Sequence, residues 1–274
     1  TIQRYRLSGG RAWLATIAAT LPLLFGFILP ALQLLQWSLS TSEETLGAGF
    51  ARLTFNSLML AGITAAIAVA LALLLAYGKR LHNSRLISSS VRISSLGYAI
   101  PGTVIAVGVL LPLAWFDNTL DAWMRDAFGV STGLLLSGTL VALVFAYTVR
   151  FLSVSIQAVE SGLGKINHSV DDAGRSLGLT PLKVLQNIHL PLMRGTVLTA
   201  LLLVFVDVLK ELPATLILRP FNFNTLAVRA YEMAADERLA DAGAPALMIV
   251  LAGIIPVLLL SRAIGRARAG GGAP

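Results

Sequence analysis

The sequence predicts an all-α polytopic membrane protein with six transmembrane helices. Three observations carry that expectation. Hydrophobic residues make up 56% of the 274-residue chain and charged residues 13%, whereas soluble domains carry about 25% charged residues. The apolar residues gather into six runs of about 20, the length that crosses a bilayer core. The basic residues between those runs are shared out very unevenly. This composition excludes a soluble globular domain, and it excludes an intrinsically disordered chain, which needs low hydrophobicity. Cysteine is absent, so the sequence offers no disulfide, thiolate metal site or cysteine nucleophile.

The expected spans cover residues 12–35, 57–77, 96–115, 132–151, 196–218 and 243–261. The first is too long for a cleaved signal peptide, and five more follow it. A start at Thr1 rather than Met is read as a piece of a longer protein. The second span carries Gly62, Ala66 and Ala70 at intervals of four, with Ala65, Ala68 and Ala72 nearby. Small residues at that spacing let helix backbones approach closely. The third carries Gly97, Pro101, Gly102, Gly108 and Pro112, and the sixth Gly253 and Pro256. Proline removes a backbone donor and bends a helix. Such positions serve a transport path or ordinary bundle packing equally well.

Charge sets the orientation. The N-terminal stretch, the 79–92 and 150–194 connections and the C-terminal tail together hold 15 basic residues and three acids, whereas the alternate connections hold five basic residues and nine acids. By the positive-inside rule both termini are cytoplasmic. The net charge of +7 is dispersed over four segments rather than gathered on one patch, which argues against nucleic acid as a partner.

The fifth span departs from a plain apolar run. Asp207, Lys210 and Glu211 follow its first half, and Pro213 comes just after them. Charges within a membrane usually face a bundle interior or a water-filled cavity. Asp207 and Lys210 are three apart on a helix and can pair, with Glu211 on the same face. These four residues form a candidate translocation path; the alternative is that the span ends near Leu209 and the charges lie in the outer interface. Beyond them, Thr225 is expected to cap an outer helix running to about Leu239, with Leu226, Ala230, Met233 and Ala234 on its apolar side.

The long cytoplasmic connection, 152–195, is expected to fold as a helix–turn–helix. Ser169 can cap its first helix, with Asp171 and Asp172 in the first turn, where the helix dipole favours acids. Gly178 suits the position just past the helix end, which needs positive φ. Thr180 and Pro181 open the second helix, on which Leu182, Leu185 and Ile188 share a face.

At this connection the sequence resembles a known family. Asp172-Ala173-Gly174, then Gly178 six residues after Asp172, then Ile188, Leu190 and Pro191 are similar to the EAA loop of the permease subunits of binding-protein-dependent ATP-binding-cassette importers, with their MetI-like fold. Two residues depart from the family pattern: Asp172 replaces Glu, and Gly174 replaces Ala at up to about 1 kcal/mol of helix propensity. The resemblance implies that Asp171, Asp172, Ala173, Gly174, Arg175, Leu177, Gly178, Ile188, Leu190 and Pro191 form a coupling loop that docks on a cytoplasmic ATPase dimer. Further segments, Tyr98-Ala99-Ile100-Pro101-Gly102, Asp207 to Leu216 and Leu218 to Phe223, resemble the C-terminal half of ferric-iron permeases. The implied partners are a periplasmic substrate-binding protein, the ATPase dimer, a second permease half, fused upstream or separate, and the lipid bilayer of the inner membrane. Permeases for thiamine, sulfate, molybdate, phosphonate and polyamines share the architecture. The implied domains are a basic cytoplasmic stretch (1–11), the transmembrane domain (12–261) and a basic cytoplasmic tail (262–274).

No cofactor is expected on the chain itself; ATP and Mg belong to the partner ATPase. Gly162-Leu163-Gly164-Lys165 has Ile166 where a nucleotide-binding loop needs Ser or Thr. His82, His168 and His189 fall in the cytoplasmic connections, are expected to be solvated, and form no metal motif. An intramembrane enzyme would need a His or a second Asp within a span, and a channel would want a carbonyl filter or charge rings. The sequence offers none of these.

Overall fold

The computed structural model describes residues 7–82 and 84–269. The first part of the basic stretch (1–6) and the end of the tail (270–274) lie outside the described residues. Those described fold into helices, with no strand among them.

Helix α1 runs Gly10–Ser40. A π turn, Leu24–Ile28, sits between Pro22 and Pro30, where missing backbone donors already weaken the α pattern. Helix α2 (Ala48–Leu81) is the longest, at 34 residues. Helix α3 (Arg85–Ser94) follows, its N-cap Ser84 accepting from the Ile87 N–H. A 3₁₀ turn, Gly97–Ala99, leads to α4 (Gly102–Phe128), which passes straight through Pro112. Then come α5 (Leu140–Leu163) and α6 (Ser169–Ser176). Helix α7 (Pro181–Leu192) meets α8 (Arg194–Leu209) at a bend of 82°. After three non-helical residues come α9 (Pro213–Leu218), α10 (Leu226–Ala235) and α11 (Gly243–Ala269).

By length and composition α1, α2, α4 and α5 can each cross a membrane, and α7 with α8 make a fifth crossing if counted as one; the described apolar part of α11, Gly243–Leu258, is shorter. Helices α2, α5 and α8 form the centre, with Leu60, Ala61, Ala65, Ala68, Ala146, Tyr147, Val204 and Val208 packed together. Helix α11 lies against α1, where a Cβ on Gly243 would come within 2.9 Å of Trp37.

The structure corrects several expectations. The small residues of α2 that α5 approaches are Ala61, Ala65, Ala68 and Ala72, all buried, while Gly62, Ala66 and Ala70 are exposed. Both rows have helical spacing, so spacing alone does not choose between them. Helix α5, the fourth expected span, begins at Leu140, eight residues later than expected, because 129–139 is held by two acids of α4. Asp117 accepts from the Leu136 and Ser137 N–H groups and the Ser137 hydroxyl. Asp121 accepts from the Ser131 hydroxyl and the Thr132 and Gly133 N–H groups. Both acids are buried rather than solvated in an outer loop. Thr225 caps α10 as expected, but that helix stops at Ala235, and Ala234 is exposed.

Candidate functional site

Two clusters of charge lie at different levels of the bundle. The first joins the connection after α5 to α2. Arg80, in the last turn of α2, donates through Nε to Asp171 Oδ2 at 2.8 Å. Its Nη1 donates to the Leu163 carbonyl at 2.7 Å, and its Nη2 to the carbonyls of Ile166 and Asn167 at 2.9 and 3.1 Å. One guanidinium thus satisfies the carbonyl end of α5 and anchors α6, using the fork of donors that lysine lacks. Asp171 Oδ1 lies 2.7 Å from His189 Nε2. His189 is fully buried, and its Nδ1 has no hydrogen-bond partner. It is packed inside the loop rather than solvated, contrary to the sequence expectation. The Tyr77 hydroxyl donates to the Pro181 carbonyl at 3.0 Å, and its ring centroid is 5.4 Å from that of His189. Burial pushes the Asp171 carboxyl up, but the hydrogen bonds from His189 and Arg80 and the Arg80 charge outweigh it and hold the group below the ordinary carboxylate range.

Above this clamp the motif residues divide by exposure. Asp171 and Gly174 point inward; Asp172, Ala173, Arg175, Leu177 and Gly178 are exposed. Gly178 has φ +74°. The Leu179 N–H bonds back to the Gly174 carbonyl and the Gly178 N–H to that of Arg175, a Schellman ending that favours glycine there. Gly174 has a different reason: a Cβ would come 2.8 Å from Val184 Cγ2. Its cost in helix propensity is the condition for α6 lying close on α7. Ser169 is not the cap; Asn167 Oδ1 accepts from the Ser169 N–H instead. On α7, Leu185 is buried, Ile188 and Leu190 are half-buried, and Pro191 is exposed. Leu182 is 57% exposed, because a π turn at Leu185–His189 rotates the later residues away from a plain helical face. The exposed Leu177, at 78%, adds apolar surface beside Asp172.

The second cluster sits midway along α5. Arg150 is the eleventh residue of that helix, not part of a terminal connection. Its Nε is 3.3 Å from Glu211 Oε2, and its Nη1 donates to the Ile100 carbonyl at 3.3 Å. Glu211 lies in the break between α8 and α9, and its Oε1 accepts from the Ala214 N–H at 3.3 Å. The break before α4 reaches the same level: a Cβ on Gly102 would come 2.5 Å from Glu211 Oε1 and 2.6 Å from Arg150 Nη1. The Tyr147 and Thr215 hydroxyls pair just beyond, and Thr215 donates to the Glu211 carbonyl at 2.6 Å. Asp207 pairs with Lys210 at 2.9 Å, as its spacing predicts, with Lys210 left 63% exposed. Glu211 does not share that pair. Pro213 is exposed at the start of α9.

Of the four path residues only Glu211 meets Arg150, which the charge tally counts with the cytoplasmic connection; Asp207 and Lys210 form a separate pair. Arg80 and His189 were likewise missed. A signal existed for each: an arginine in the last turn of a long apolar helix, and a histidine inside the motif, between Ile188 and Leu190. Among the described residues no group of three or more His, Asp or Glu side chains could hold a metal ion.

An all-helical bundle of this form, with a docked helix–turn–helix at one end, is a MetI-like permease fold. The chain belongs to the family described as binding-protein-dependent transport system inner membrane component, which it matches over residues 68–268. It is 29% identical over 236 residues to the Fe(3+)-transport system permease protein FbpB 2 of Haemophilus influenzae, covering 85% of this chain and 44% of that protein. It is 26% identical over 164 residues to a Salmonella typhimurium protein named as a 2-aminoethylphosphonate transport system permease, PhnV, covering 60% of this chain and 56% of that one. The chain thus spans about half the length of these relatives. Among solved structures, a subunit of the bacterial alginate importer crystallised with its alginate-loaded periplasmic protein matches with TM-score 0.69 at 15% identity, covering 91% of this chain and 93% of that one. The inward-facing methionine transporter MetNI matches with TM-score 0.52 at 17% identity, covering 77% and 94%. At these identities the likeness is one of fold.

Proposed function

We propose that this chain is a membrane-spanning half of an ATP-driven importer and that it passes ferric iron delivered by a periplasmic binding protein. The observation that carries the reading is the clamp of Arg80, Asp171 and His189 beneath the exposed motif residues. It fixes Asp172, Ala173, Arg175, Leu177 and Gly178 outward on a rigid base, as a docking element must be. In this reading an ATPase dimer on the cytoplasmic side receives the loop, and ATP and Mg belong to that partner; the chain itself carries out no hydrolysis. A second permease half, fused upstream or separate, completes the path. The chain crosses the inner membrane six times with both termini cytoplasmic. Residues 1–11 and 262–274 form its basic ends, and 12–261 its transmembrane domain.

The clamp ties the loop to the ends of α2 and α5, so movement of the ATPase is delivered to those helices. Alternating access follows when they rock. Asp207, Lys210, Glu211 and Pro213 then lie along the path, where the fifth crossing is broken. Iron is favoured as cargo by the ferric-permease resemblance of residues 207–223 and by the FbpB relative. The phosphonate relative keeps a second solute class in view. The test is uptake of radiolabelled ferric iron and of 2-aminoethylphosphonate in a strain lacking this permease, with Asp172→Asn and Gly178→Val variants alongside. Coupled iron uptake in the wild type, with ATP hydrolysis uncoupled from uptake in the variants, supports the reading. Unaltered coupling in both variants would sink the docking assignment.

A further inference from the structure

From the sequence, the stretch between the second and third spans reads as a connection, but the structure carries Arg85 to Ser95 back into the bundle. Val91 of α3 is buried with Ile156 of α5 and Ala76 of α2, and a Cβ on Gly97 would sit 2.0 Å from the Val149 carbonyl. Ile156 and Val149 lie seven and fourteen residues before Leu163, the end of α5, so α3 climbs about 10 Å by Val91 and the chain about 20 Å by Gly97. The third crossing therefore consists of α3 and the first part of α4, with its break level with Arg150.

The exposed side of α3 is divided. Arg85, Ser89 and Arg92 follow one another at helical spacing on one half. Leu86 and Ile93 occupy the other, 78% and 70% exposed. The apolar half suits lipid. The basic half does not: Arg92, beside Val91, lies at a depth where a charge usually faces a bundle interior or water, and Arg85, six residues before Val91, opens the row level with the end of α5. From Arg80 to Phe116 the sequence holds no acid. At the break that α3 leads to, each carboxylate already has a cation: Asp207 has Lys210 and Glu211 has Arg150. This lining offers guanidinium and hydroxyl donors and no free carboxylate, the opposite of what a bare trivalent cation requires.

We propose that Arg85, Ser89 and Arg92 line the cytoplasmic half of the translocation path and admit an oxyanion-bearing solute, so that iron crosses this half as an anionic chelate or the cargo is itself a free oxyanion. The inference rests on reading the chain as an importer permease.

The absence of cysteine allows a direct test. Ser89→Cys and Leu86→Cys are placed singly in the complete transporter, reconstituted with its ATPase and second half without nucleotide. Each is treated with an anionic (sulfonatoethyl) and a cationic (trimethylammonioethyl) methanethiosulfonate, with rates normalised to free cysteine. Ser89→Cys is expected to react about fivefold faster with the anionic reagent, as a like-charged lining focuses counter-ions. Adding Arg92→Gln brings the ratio towards one, and Leu86→Cys reacts slowly with both reagents. Slowing by ferric citrate identifies the chelate, and slowing by 2-aminoethylphosphonate the free oxyanion. Equal rates for the two reagents, Ser89→Cys as slow as Leu86→Cys, or slowing by neither solute would overturn the proposal. Failure of the importer reading shows separately, as absence of ATP hydrolysis stimulated by the binding protein.

Discussion

The two buried arginine–carboxylate pairs are built to opposite standards. Arg80 has 6% of its side chain exposed and engages Asp171 and three carbonyls. Arg150 has 19% exposed, holds Glu211 at 3.3 Å, and its Nε makes no hydrogen bond of good geometry. A saturated guanidinium has no better arrangement to move to, so it behaves as a fixed joint. A guanidinium with loose contacts gives up little when its partner shifts. The contrast assigns rigidity to the loop base and adjustability to the middle of the bundle, as expected where a movement begins and where a path must open and close.

The largest effect that sharpens this contrast belongs to Arg80→Met. It leaves the Asp171 carboxylate with His189 alone and strands three carbonyls, and losing one partner of a buried pair costs about 3–5 kcal/mol. The expected outcome is loss of folded, monodisperse protein in detergent. Asp171 has its folded pKa held below the unfolded value. Its contribution is therefore present above about pH 4 and lost as pH falls through the lowered folded value. Hydrogen exchange in α6 and α7 should show the loop docked at pH 5 and released only in stronger acid.

Next comes Glu211→Gln, where the looser pair should cost about 1–2 kcal/mol. Uptake should change more than thermal stability. Equal losses for Glu211→Gln and Arg80→Met would erase the distinction between the two pairs. Gly174→Ala follows. The added methyl meets Val184 at 2.8 Å, an overpacking cost of about 1–3 kcal/mol, partly offset by the better helix former. Val184→Ala should rescue it in a melting experiment. The smallest stability change belongs to Asp172→Asn, within about 0.5 kcal/mol for an exposed side chain. Its effect should appear only in the ratio of ATP hydrolysed to solute moved.

Neighbours one residue apart, Asp171 and Asp172, show how far the sequence could be read. The motif spacing located the loop, and Gly178 and Pro181 marked its turn, because those signals are local. Which acid would be buried depended on Arg80, ninety-one residues away, and no local pattern encodes that. The spans were legible as apolar runs, but their edges were displaced wherever a charge found a distant partner. Arg150 looked like a terminus and is a midpoint, because Glu211 neutralises it across the bundle. The stretch from Arg85 to Ser95 reads as a basic connection because its polar residues are weighed without the packing of Val91. The exposed row of Gly62, Ala66 and Ala70 shows the same limit, since helical spacing presents two similar faces of α2 and only tertiary contact selects one.

The π turn at Leu185–His189 carries a last consequence. A turn of this kind holds one residue more than an α-helical turn, so it acts as a phase shifter within α7. Rewinding that turn as ordinary α-helix, with no residue removed, would rotate everything downstream by about 100°. His189 would swing off Asp171, and Leu190 and Pro191 would enter the 82° bend facing another way. The timing of the chain's rotation, one residue wide, is what aligns the loop with the helix it is meant to push.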